Sequence, residues 1–133
     1  MKVLCLLAAV STVTVAQLVG GATQSSNPNS KENQDLVWGS LTKLNSGNSR
    51  SLLVPIKVLK ASTQVVAGSL SKFEVLVGES SCPASKASSG RNCAYKSGAP
   101  RFIYKVEVWE KPWENFKQYT VTKGRSVAAN ERL

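Results

Sequence analysis

Residues 54–77 read VPIKVLKASTQVVAGSLSKFEVLV. Val54, Ile56 and Val58 alternate with Pro55 and Lys57, and Phe73, Val75 and Val77 alternate with Lys72 and Glu74. A period of two sends successive side chains to opposite faces, so each run predicts a half-buried β-strand. Gly68 lies between them and can reverse the chain with a positive φ. The turn between a strand ending near Thr63 and one starting near Ser69 is Gln64-Val65-Val66-Ala67-Gly68. A solvated hairpin tip would carry Asn, Asp, Ser or Gly. Two readings of the valines follow from the pattern: the strands run on and bury them, or the tip is apolar and a partner covers it.

Downstream, Phe102, Tyr104, Val106 and Val108 alternate with Lys105 and Glu107, and Tyr119 and Val121 suggest a last strand. Residues 78–100 read as a long loop, and the end after Thr122 as a polar tail. Upstream, the period changes to that of a helix. Ser30 is a plausible N-cap, and Glu32 and Asp35 suit a helix N-terminus. Val37, Leu41 and Leu44 recur at helical spacing, Leu36 and Trp38 widen the apolar face, and Asn45-Ser46-Gly47-Asn48 ends the segment. Residues 17–29 are small and polar, with no period of their own. One helix followed by a run of strands predicts an α+β fold with an antiparallel sheet packed on a single helix.

A second turn is as unusual as the first. Pro112 fixes φ and cannot donate to a sheet ladder, so the chain turns there and Trp113 sits at the turn. Tryptophan at a turn either folds back or anchors a partner. Successive antiparallel hairpins put alternate turns at the same end of a sheet, and the 64–68 and 112–113 turns are related in that way. Two apolar tips side by side would form a hydrophobic edge of the kind that marks binding sites. Trp109 falls on the face opposite Val106 and Val108, and spacing does not decide its exposure.

The chain begins with Met1-Lys2, an apolar run Val3–Val10 and a small-residue site Thr14-Val15-Ala16. These are the parts of a signal peptide over residues 1–16, with cleavage before Gln17 and residues 17–133 as one secreted, extracellular domain. Ser11, Thr12 and Thr14 break the apolar run well short of the roughly 20 residues that span a bilayer. No membrane insertion is expected after cleavage. Removal of the leader also removes Cys5, leaving Cys82 and Cys93, which on a secretory route read as one disulfide.

The sequence contains no histidine, which excludes His-based triads, Cys–His dyads and the usual His-containing zinc sites. With Asp and Glu numbering only 8, catalysis has little to work with, and neither a metal nor a cofactor is expected. Lys and Arg number 17, for a net charge of +9. This surplus admits a cationic binder of membranes or nucleic acid. However, Lys57, Lys60, Lys72, Lys105 and Lys117 are spread along strand faces, with no clustered charge interleaved with aromatic platforms and no basic amphipathic helix. A solvated surface and no nucleic-acid partner are the expectation.

The Gln64-Val65-Val66-Ala67-Gly68 turn resembles the Q-x-V-x-G loop of the cystatins, and Pro112-Trp113 resembles their second loop. Leu18-Val19-Gly20-Gly21 is similar to their N-terminal trunk, with Gly20 at the place of the family's key glycine. The three motifs stand in the family's order, with a leader and a cysteine pair, as in secreted invertebrate members of the type 2 group. The resemblance implies a five-stranded antiparallel sheet wrapped around one α-helix. It implies a reversible, noncovalent inhibitor of papain-like cysteine proteases of the cathepsin type, acting as a monomer and not as an enzyme. On that model Leu18, Val19 and Gly20 form the trunk, Gln64, Val65, Val66, Ala67 and Gly68 cross the protease cleft, and Pro112 and Trp113 cover its primed side. Type 2 members often carry a second disulfide near the last hairpin, for which this chain has no cysteines. Some relatives also inhibit legumain through an asparagine after the helix. Asn48 stands there, but Gly47 and Ser49 beside it differ from the usual Ser-Asn-Asp.

Overall fold

A computed structural model of the chain describes residues 23–45, 51–86 and 90–133. The proposed leader, the trunk residues Leu18, Val19 and Gly20, and Asn48 lie outside these. Among the described residues, α1 (Lys31–Asn45) is packed against a five-stranded antiparallel sheet in the order β1 (Gln24–Ser25), β2 (Ser51–Val66), β3 (Gly68–Pro83), β4 (Arg101–Lys111) and β5 (Phe116–Val127). This is the α+β arrangement expected.

The helix starts as its sequence predicts. The Ser30 hydroxyl accepts the Asn33 backbone N–H at 3.2 Å, and the Ser30 carbonyl accepts that of Gln34. Asn33 is buried and satisfies itself on the incoming chain, donating to the Asn27 carbonyl at 2.7 Å and to Ser26 Oγ at 3.2 Å. At the other end Asn45 clamps the start of β2, donating to the Leu53 carbonyl and accepting its N–H. Val37 and Leu41 face inward on α1 and form one core cluster with Val58, Ala61, Phe73, Val75, Val77, Tyr104, Val106 and Val108 of the sheet. Burying such side chains contributes about 1.5–3 kcal/mol each relative to exposure.

Four details differ from the sequence reading. β1 was not visible in the polar lead, because two exposed residues carry no hydrophobic period; its pairing with Thr63 and Ser62 makes it a strand. In β2 the alternation slips. Leu52, Val54, Val58 and Ala61 are buried, whereas Ile56 is 36% exposed, because register irregularities fall between Pro55 and Lys57 and between Val58 and Lys60. The expected 78–100 loop begins later, since β3 continues to Pro83. Its last residues pair with β2, where Glu79 meets Leu53 and Pro83 meets Ser51, and on the other side Ser80 bridges Tyr95 and the Glu79 carbonyl accepts the Lys96 N–H. The Cys82–Cys93 disulfide ties the end of this strand to the loop that follows.

The polar tail is also ordered further than its composition implies. β5 runs to Val127, which is buried opposite Arg101. Beyond it the Arg101 guanidinium donates to the Ala128 and Glu131 carbonyls, Arg125 makes a two-pronged contact with the Glu131 carboxylate, and Lys57 Nζ donates to the Leu133 carbonyl. These side-chain bonds hold a segment that has no hydrophobic pattern to announce it.

Candidate functional site

The β2–β3 turn and the β4–β5 turn lie side by side at one end of the sheet. β3 begins at Gly68 and is paired with the end of β4, with Ser69 opposite Glu110 and Leu70 opposite Trp109. The β2–β3 ladder closes as Val66 opposite Gly68, leaving Ala67 as the tip. Both readings of the valines are therefore half right. The strands do run on through Val65 and Val66, yet the valines stay out of the core: Val65 is 69% exposed and Val66 37%.

Gly68 is required twice at this junction. Its φ is +97°, a conformation that side-chain-bearing residues rarely adopt, and a Cβ there would run into the Glu110 carbonyl oxygen. Backbone thus packs directly on backbone where the two hairpins meet.

Pro112 opens a single 3₁₀ turn, Pro112–Glu114, where its missing N–H costs nothing and its fixed φ is already suitable. Asn115 closes the turn in the left-handed conformation, φ 51°, and donates its N–H to the Pro112 carbonyl. The tight turn leaves Trp113 with no wall to fold against, and it is 66% exposed. Among the described residues, Val65, Val66 and Trp113 account for three of the five large hydrophobic side chains that are exposed. The other two, Ile56 and Leu133, belong to the β2 irregularity and the chain end.

Charges around this end cancel locally. Lys111 lies 3.3 Å from Glu114, and Lys117 lies 3.6 Å from Glu110. The groups with displaced pKa values lie away from this end. Tyr104 is raised by burial in the core, and Arg125 hydrogen-bonded to Glu131 holds that carboxyl below the usual range. The site is an apolar ridge with a rim of paired charges. Among the described residues no cluster of ligands could hold a metal ion, and no helix is long and apolar enough to cross a membrane.

Of the sequence-selected residues, the structure brings Gln64, Val65, Val66, Ala67, Gly68, Pro112 and Trp113 to one edge. β1 pairs with Thr63 and Ser62, next to Gln64 of the first turn. Trp109 is the contributor that spacing left undecided. It lies on the outer sheet face, half-buried, and its indole Nε1–H donates to the Ala67 carbonyl at 2.8 Å. The cue available in the sequence was its position one register step from the turn residues.

A family model described as the cystatin domain matches residues 20–126. The chain is 46% identical over 124 residues to cystatin cpi-1 of Caenorhabditis elegans, covering 88% of this chain and 86% of that protein. It is 37% identical over 113 residues to onchocystatin of Onchocerca volvulus, covering 80% of this chain and 68% of that one. Among solved structures, the crystal structure of Al-CPI superposes with a TM-score of 0.71 at 34% identity, over 80% of this chain and all of that one. The salivary cystatin of the soft tick Ornithodoros moubata shares the fold, with a TM-score of 0.68 at 20% identity, over 79% of this chain and 98% of that one.

Proposed function

This chain belongs to the cystatin family of cysteine protease inhibitors, and we propose that it is a secreted, reversible inhibitor of papain-like proteases of the cathepsin type. It acts as one copy, by inserting the paired turns into the active-site cleft. The observation that supports this most is the juxtaposition of two exposed apolar turns, Val65–Val66 and Trp113, on one rigid sheet end.

The chemistry follows from the site's composition. An apolar ridge entering a preformed groove gains from desolvation without needing ion pairs, and turns already held in place lose little conformational freedom on binding. Gln64–Gly68 lies across the cleft, with Val65 and Val66 supplying apolar area. Trp113 covers the primed side, and Pro112 keeps the turn beneath it stiff. Leu18 and Val19 enter the non-primed subsites, and Gly20 bends the trunk past the catalytic cysteine. The ridge presents no peptide to the nucleophile in a cleavable pose, so the block is noncovalent and competitive. An interface on the order of 1,600 Å² is normal for such a complex. The Cys82–Cys93 disulfide supports β3 from the opposite end and takes no part in the contact.

The test is a titration of papain and a cathepsin with disulfide-intact residues 17–133, beside Trp113→Ala and Gly20→Glu. The reading requires stoichiometric inhibition, full recovery of protease activity on dilution, unchanged inhibitor mass, and at least tenfold weaker inhibition in each variant, the equivalent of about 1.4 kcal/mol. Inhibition that survives both substitutions contradicts it. Asn48 offers a second, legumain-type activity only by position, and Asn48→Ala leaves papain inhibition unchanged on this reading.

A further inference from the structure

We infer that Trp109 is a positioning residue: its indole N–H ties the exposed tip of the β2–β3 turn to the β4–β5 hairpin, so that both turns meet a protease as one body. The inference rests on the inhibitory reading above and assigns a role to a residue outside the contact surface itself. The bond from Nε1 to the Ala67 carbonyl reaches the one residue at the tip that the β2–β3 ladder leaves unpaired. The donor end is held just as firmly. The Trp109 ring meets Phe116 edge to face, with centroids 5.3 Å apart and planes at 76°. Lys111 Nζ sits over both rings, 4.7 Å from Trp109 and 4.6 Å from Phe116. The same ammonium reaches Glu114, inside the second turn, at 3.3 Å.

A continuous chain of contacts thus runs from Ala67 through Trp109 and Lys111 to the turn that carries Trp113. Ala67 and Glu114 are exposed, so this chain adds little buried area; what it fixes is relative position. No cysteine lies between Cys93 and Leu133, so no disulfide can hold the last hairpin. Restraint of a binding loop before association lowers the ordering cost and shows chiefly in the dissociation rate.

Trp109→Phe tests this, because phenylalanine keeps an aromatic ring for Phe116 and Lys111 while losing the indole N–H together with part of the ring area. The variant is expected to inhibit papain about five- to tenfold more weakly, through faster dissociation, the range of one lost hydrogen bond. Circular dichroism should be unchanged, and NMR order parameters of the free protein should fall at Val66–Gly68. In double-mutant cycles the loss should be non-additive with Val65→Ala and with Trp113→Ala, the contacts on the two turns that the tie holds together. Equal inhibition constants and equal order at Val66–Gly68 would overturn the inference. If the parent itself fails to inhibit, the inhibitory reading is what fails. The order parameters still decide the tether: a fall at Val66–Gly68 in Trp109→Phe upholds it and no change rejects it.

Discussion

Gly68 is where a single residue governs the site. Its positive φ and its backbone packing on Glu110 exclude any Cβ, so Gly68→Ala should destabilise the protein by of order 1–3 kcal/mol and spread the two hairpins apart. Thermal unfolding reports the first effect, and weaker papain inhibition at a temperature where the variant is still folded reports the second. Core residues behave differently: Phe73→Ala should cost about 3–5 kcal/mol of stability and leave the inhibition constant of the folded fraction unchanged. At this scale much of the site was legible in the sequence. Valines and tryptophan at turns contradict what turns need, and a contradiction of that kind points to a partner. Trp109 was less legible, because a hydrogen bond from a side chain to a carbonyl 42 residues away leaves no local pattern.

Elements at the far end of the sheet should be separable from the site. Cys82 and Cys93 close a loop with a sequence separation of 11, whose chain-entropy contribution is about 2–3 kcal/mol. The Cys82→Ser, Cys93→Ser double variant should therefore unfold at a lower temperature and yet inhibit papain with an unchanged constant while folded. The C-terminal segment offers a pH test. The Arg125 hydrogen bond holds the Glu131 carboxyl below its ordinary range, so their pairing favours the ordered tail above that range and is lost as pH falls through the folded-state value. NMR signals of residues 128–133 should sharpen and lose dispersion on acidification, before the core unfolds. Helix and inner strands were readable because burial imposes a period on them. β1, the end of β3 and the end of β5 were not, since pairing with neighbours and guanidinium contacts to carbonyls hold them without any apolar alternation.

Across the whole molecule, charge and site occupy different places. Among the described residues the basic side chains are spread over the helix, the strands, the loop after β3 and the tail, while the end with the two turns pairs Lys117 with Glu110 and Lys111 with Glu114. Protease affinity should consequently change little, within about threefold, between 50 and 500 mM salt, whereas a polyanion binder neutralising several phosphates would lose orders of magnitude. The fold places an apolar, pre-ordered edge at one end of the sheet, and that edge is the central claim. It is tested most directly by amide hydrogen exchange of residues 17–133, free and bound to papain whose catalytic cysteine has been alkylated. Protection confined to residues 64–68, 112–116 and the trunk would bear the account out. Unchanged exchange at both turns, with protection on the lysine-bearing outer face of the sheet, would contradict it.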